Sequence, residues 1–211
     1  MARKEVPEVN ASSLADIAFL LLTFFLIATS MDKQEGIQRQ LPDLTVDNPP
    51  VVVQQNNAIE FVANAFGQIL YKEDPENIRQ INVGEIKNLV MEHVDNGGGV
   101  DAEGNPCDYC GAGPDGTRSA LLSDHPSLAI VSIQFDKGTS WEDYIALQGE
   151  IEAAYSELKA VYVQRNYNRD WDRLIADPAK PATEGDNAII ADADSKYPKI
   201  IAEPRPTDIT Q

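Results

Sequence analysis

Residues 11–31 read ASSLADIAFLLLTFFLIATSM, and this stretch decides how the chain is organised. Only Asp16 within it can ionise. The run of Leu, Phe and Ile is apolar all round a helix, whereas a surface helix keeps its apolar residues on one stripe. A helix of about 20 residues matches a hydrocarbon core roughly 30 Å thick. Nothing later in the chain is as long and as apolar. The expectation is therefore a single transmembrane helix over residues 12–31, preceded by a cytoplasmic tail at 1–11. Pro7 and Asn10 delay the helix, Ser12 and Ser13 are good N-caps, and Ser13 to Asp16 has capping-box spacing. The competing reading is a cleaved signal peptide, with Arg3 and Lys4 at its charged start and Ala28-Thr29-Ser30 at its small-residue end. The acid inside the apolar run and the length of that run both speak against it.

The flanks set the orientation. Arg3 and Lys4 lie in the short N-terminal tail, while Lys33 and Arg39 are mixed with Asp32 and Glu35 on the other side. The positive-inside rule then keeps the N-terminus inside. Residues 32–211 carry 15 Lys and Arg against 31 Asp and Glu, and the 211-residue chain has a formal net charge of −17. A surface this acidic repels phosphate backbones and anionic lipid, so nucleic acid is not an expected partner. Two cysteines, Cys107 and Cys110, are too few for a fold built on disulfides.

Residues 32–50 are polar and contain Gly36, Pro42 and Pro49-Pro50, which reads as an extended linker. An α+β domain is expected over 51–170. VVVQQ, a turn at Asn56-Asn57, AIEFVAN, a turn at 65–67 and QILYKE read as strands. Asn82 and Glu85 sit at capping-box spacing before a helix over 83–95, with Ile86, Leu89, Val90 and His93/Val94 on its apolar face. A Gly-rich loop fills 96–120. SLAIVSIQF (127–135) reads as a buried strand, residues 140–158 as a helix striped by Tyr144, Leu147, Ile151 and Tyr155, and AVYVQRNY (160–167) as a strand. In the remaining 171–211 periodicity fades, and from about 176 Pro and Asp dominate, so this segment reads as a disordered acidic tail. The fold class is thus a single N-terminal transmembrane helix followed by a small two-layer α+β domain, with both helices covering one sheet face.

Asp16 is the residue with the most chemical content. A carboxylate at membrane depth costs about 2.5–3.5 kcal/mol when central, and less near an end. One reading has it capping the first turn against the helix dipole. The other makes it a reversible proton carrier, since a carboxyl group taken out of water favours its neutral form. Thr23 lies seven residues on, on the same face as Asp16, with Phe19, Leu20 and Ile27. Its hydroxyl either serves that face or bonds back to its own helix.

The segment VNASSLADIAFLLLTFFLIATSM resembles the membrane helix of the ExbD/TolR proteins, through the Asn10 to Asp16 spacing, the acid at the start of the span and the apolar run after it. The likeness continues in Gln40-Leu41-Pro42, similar to the family's Leu-Pro linker element, and in the order of α and β elements to about residue 167. Ser12-Ser13 stands where the family often has Thr-Pro, and the Gly/Cys-rich loop and acidic tail are additions. The resemblance implies a non-enzymatic, proton-motive-force-driven subunit of the bacterial inner membrane. Its N-terminus would be cytoplasmic and its C-terminal domain periplasmic. Pairs of this chain would sit inside a pentameric ExbB/TolQ-type ring, with Asp16 carrying protons. The soluble domains would dimerise and engage a TonB- or TolA-type protein that transmits force to the outer membrane. No cofactor or metal is implied.

Two other readings start from different features. The helix is a mere tether for a periplasmic binding module, or the chain is an anchored thiol oxidoreductase. Cys107-Asp-Tyr-Cys110 is a CxxC, but it lies in a loop between Pro106 and Gly111, not between a strand and a helix start. A short-range disulfide, a free pair and a redox or metal role all remain open for it. A zinc site would need about four ligands, and only His93 and His125 are at hand. His93 ends a helix, where cations are favoured, and His125 precedes Pro126 in a loop. Ser-His-Asp, P-loop and metalloprotease spacings are missing, which argues against a conventional hydrolase.

Overall fold

A computed structural model describes residues 11–28, 54–74, 77–111, 118–175 and 183–204. The chain divides into two units, Met1–Pro49 and Pro50–Gln211. In the first, helix α1 spans Ala11–Ala28. Its 18 residues rise about 27 Å, somewhat less than a hydrocarbon core. Among the described residues no helix is long and apolar enough to cross a membrane. The expected end of the helix at 29–31, the linker at 32–50 and the first strand residues at 51–53 lie outside the described residues.

The second unit is a mixed α+β domain. Its elements are β1 (Ala58–Ala63), β2 (Ile69–Asp74), β3 (Asn77–Ile81), α2 (Val83–Val94), β4 (Ile130–Phe135), α3 (Trp141–Tyr167), α4 (Trp171–Ile175), α5 (Glu184–Lys196) and β5 (Ile201–Ala202). The sheet order is β3-β2-β1-β4-β5, antiparallel from β3 to β1 and parallel from β1 to β5. Strands β1 and β4 alternate half-buried and buried residues, as expected when one face is covered. Ile59, Phe61 and Ala63 pair with Val131, Ile133 and Phe135 on that covered face. On the other side of β1, Phe61 meets Tyr71 of β2 with ring centroids 5.8 Å apart. The layer above is built by α2, through Ile86, Val90 and Val94, and by α3, through Leu147, Ile151, Ala154 and Leu158.

Local chemistry explains most of these boundaries. Between β1 and β2, the Asn64 side-chain oxygen accepts the amides of Phe66 and Gln68, and Gly67 takes φ 75°, which a Cβ would disfavour. Helix α2 opens where the Glu85 carboxylate accepts the Asn82 amide. Helix α3 opens where the Ser140 hydroxyl accepts the Asp143 amide at 3.1 Å.

Three sequence expectations are corrected, and one strand is added. Gln55 belongs to a 3-10 turn, Gln55–Asn57, rather than to a strand, and among the described residues the first strand is Ala58–Ala63. Residues 77–81 form β3, an edge strand whose exposed Ile78, Arg79 and Gln80 lack the alternation that marks a half-buried strand. Residues 160–167 are the last turns of α3. Tyr155, Leu158, Tyr162 and Val163 continue the stripe of Leu147, Ile151 and Ala154 at helical spacing, and no breaker separates Leu158 from Ala160. The helix stops at Asn168, which adopts left-handed φ 50°. Within the expected disordered tail, residues 184–196 are helical and 201–202 extend the sheet. There Thr183 and Asp186 form a complete capping box, and Ala193 and Tyr197 are buried in the common core.

Candidate functional site

In α1 the helix has begun by Ala11, so Ser12 and Ser13 lie inside its first turn and that turn holds no acid. Asp16 belongs to the second turn, one turn beyond the amides that a cap would serve. It is exposed. So are Leu14, Ile17, Phe19, Leu20, Leu21, Leu22, Phe24 and Phe25, whose positions run around the whole helix. Thr23 Oγ1 donates to the Phe19 carbonyl at 2.5 Å, the local back-bond open to a helical threonine. Leu41 and Pro42 lie outside the described residues.

The second candidate feature is the Cys loop. Cys107 and Cys110 are joined in a disulfide. The surrounding loop is ordered by its own side chains. Val100 bridges Pro106, and the Asp101 carboxylate accepts the amides of Glu103 and Asn105. Gly99 is needed for the approach to the next segment, since a Cβ there would lie 1.8 Å from the Asp124 carbonyl oxygen. Below the loop lies a buried polar lattice. Asn57 Oδ1 accepts from the Asp124 amide and Ser123 Oγ, and Asn96 Nδ2 donates to the carbonyls of Ser119 and Ser123. These bonds satisfy groups that would be costly to bury alone.

Both histidines join this layer. His93 is 2% exposed, and its Nε2 donates to the Asn57 carbonyl at 3.3 Å. Burial pushes its pKa down to about 4, so the ring is neutral near pH 7. It is therefore not the cation that its place at the end of α2 suggests. His125 Nδ1 meets Ser127, and burial lowers its pKa too. Among the described residues, no group of three or more His, Cys, Asp or Glu could hold a metal ion.

Sequence reading treats the Cys loop and the C-terminal tail as unrelated additions. The structure brings them together. Tyr109, between the two cysteines, stands edge-on to His125, Tyr162 of α3 and Tyr197 at the end of α5, with centroids 5.9, 5.8 and 5.5 Å away. Its hydroxyl donates to the Lys196 carbonyl at 2.8 Å, and the Lys196 ammonium lies 4.6 Å from its ring centroid. Asp95, at the end of α2, accepts the Gly111 amide at 2.8 Å and the Tyr197 hydroxyl at 3.3 Å. Burial raises the Asp95 carboxyl pKa and pushes the Tyr109 phenol up to about 12. On the far side of the cluster, Asp192 of α5 accepts the hydroxyls of Tyr162 and Tyr167. The available signal was the clustering of tyrosines: six of the seven follow residue 100.

No curated protein matches the chain. The family model described as biopolymer transport protein ExbD/TolR matches residues 2–164, from before α1 to near the end of α3, while α4, α5 and β5 follow the matched span. With that match over most of its length, the chain belongs to the ExbD/TolR family of membrane-associated, energy-transducing biopolymer transport proteins.

Proposed function

We propose that this chain is the proton-carrying subunit of an inner-membrane motor, with Asp16 as the carrier. One observation carries the reading: a single carboxylate sits past the first turn of a helix that exposes large apolar side chains on all sides. Such a helix is stable only among lipid or other helices, and an acid there needs protein or water neighbours. Residues 12–31 would span the membrane once, with the N-terminus cytoplasmic and the α+β domain periplasmic. A lone helix cannot give a carboxyl group access to water on alternate sides. The working unit would therefore hold at least two copies of this chain within a pentameric ExbB/TolQ-type subunit. Thr23 would line the same helix face, and Leu41-Pro42 would form part of the linker to the domain. The paired domains would engage a TonB- or TolA-type protein. A proton moving through 100 mV supplies about 2.3 kcal/mol.

The test is Asp16→Asn, which keeps size and removes the titrating group. Cells carrying the variant at normal protein level should lose energised uptake while the protein stays inserted and folded. Uptake close to that of the unmodified protein would sink the carrier role and leave the helix as a tether.

A further inference from the structure

Strand β5 is only two residues long and lies at one end of the sheet order, where Ile201 and Ala202 pair with Val131 and Ser132 of β4. The Val131 amide also donates to the Ile200 carbonyl at 3.0 Å. A strand this short contributes few ladder bonds, so its position depends on what holds the chain just before it. Upstream, α5 has its own anchors on α3: Lys159 pairs with Asp194, and Tyr162 and Tyr167 bond Asp192. Around β5, Lys199 pairs with Glu152 and Glu203 accepts from Gln148, both on α3, while the residues just before it are also held by the Cys loop. Lys196 and Tyr197 are tied by Tyr109, through its hydroxyl bond to the Lys196 carbonyl and its ring contact with Tyr197, and by Asp95. Tyr109 is itself positioned by the bridge between Cys107 and Cys110, which brackets it, and by Arg165 of α3, which donates to its carbonyl; the loop is also tied to α2 by Gly111 and Asp95.

We propose that the Cys107–Cys110 disulfide is a redox-sensitive clasp that keeps residues 196–202 docked, and with them β5 on the edge of β4. The reductant is a dithiol. Its thiolate attacks one sulfur of the bridge, the mixed disulfide resolves, and the reductant leaves as its own disulfide. The bridge takes up two electrons and two protons and becomes two thiols. Tyr109 then loses the constraint on both sides, its contacts with Lys196 and Tyr197 loosen, and β5 leaves β4. Helix α5 stays on α3 through Lys159–Asp194 and the Asp192 bonds. The elements it holds, α5 and β5, follow the span matched by the family model, whereas the bridge itself lies within that span.

The test is amide hydrogen exchange on the full chain in detergent, with the bridge intact and after reduction by dithiothreitol, alkylation confirming two free thiols. The expected result is exchange at least about tenfold faster at residues 197–202, with residues 86–94 and 131–135 still protected. Tyr109→Ala should give the same local loosening with the bridge intact, since it removes the pin and keeps the cysteines. Unchanged exchange at 197–202 in the reduced and fully alkylated protein overturns the proposal. Loss of protection throughout the domain overturns it too, because the bridge is then a general stabiliser. Full protection at 197–202 in Tyr109→Ala removes the tyrosine as the link.

Discussion

Lowering the pH should destabilise the α+β domain through His93, before most of its carboxylates protonate. An unfolded histidine titrates near 6.5, whereas burial under α2 holds the folded ring near 4. Between those values the unfolded chain binds a proton that the folded chain refuses, so stability falls as pH drops. The contribution is present above 6.5, is reduced by about 2–3 kcal/mol at pH 4.5, and is lost in full, at about 3 kcal/mol, below pH 4. His125 acts in the same direction, its pKa also being lowered by burial. Asp95 opposes both. Its raised pKa means that the folded state takes up a proton before the unfolded state does, and this favours folding as the solution is acidified. Glu85, Asp101, Asp186 and Asp192, all lowered by hydrogen bonds, lose their contributions only at and below the ordinary carboxylate range. The window from 6.5 to 4.5 is therefore governed by the imidazoles. The assay is urea unfolding of the full chain in detergent at pH 7 and 4.5, for the unmodified protein and for His93→Gln, which keeps a donor near the Asn57 carbonyl without a titrating ring. The variant should be less stable at pH 7 but show a clearly smaller loss between the two pH values. If both proteins lose the same free energy, the burial argument for His93 is refuted.

Two further outcomes follow from local geometry. Ser140→Ala removes the hydroxyl that accepts the Asp143 amide at the start of α3, and unfolding curves should show a loss of about 1 kcal/mol. Gly99→Ala forces a Cβ to within 1.8 Å of the Asp124 carbonyl oxygen, so backbone must move and the cost should be about 1–3 kcal/mol. Gly104→Ala, with open space around its Cβ but φ +87°, is its control for backbone conformation alone.

The legible parts of the fold were those in which local and tertiary preferences agree. Helix α2 has a capping box followed by an apolar stripe that the core then buries, and β4 has a short apolar run that becomes a central strand. Misreading began where the two preferences diverge. Val161, Tyr162 and Val163 are β-formers, yet Tyr162 and Val163 complete a helix stripe begun fifteen residues or so earlier, and their tertiary burial overrides the propensity of the run. The tail from 184 was misread for a related reason. Its acidic composition resembles a solvated segment, but only a few side chains need to be buried to dock a helix. Ala193 and Tyr197 do this, and Asp192 and Asp194 use their charge to reach Tyr162, Tyr167 and Lys159 on α3. Composition records the number of acids and not their partners.

The candidate sites divide along the same line. Asp16 could be found in the sequence because a carboxyl group in an apolar run is a chemical contradiction visible in one dimension. Its place in the second turn of α1 adds the one fact that spacing left open, since the serines that resembled caps are already within the helix. The Cys loop is the reverse case. Spacing favours a short-range disulfide but leaves a free pair and a redox or metal role open, because a CxxC has the same covalent reach in all of them. What separates them is three-dimensional: Asp95, Tyr109 and Tyr197 come from parts of the chain up to 102 residues apart and meet only when α5 docks. A tyrosine bracketed by two bridged cysteines and edge-on to three other rings is built to hold a position. The chemistry of that loop is consequently legible through what it restrains, the short strand β5 and the edge of β4, rather than through any ligand it could bind.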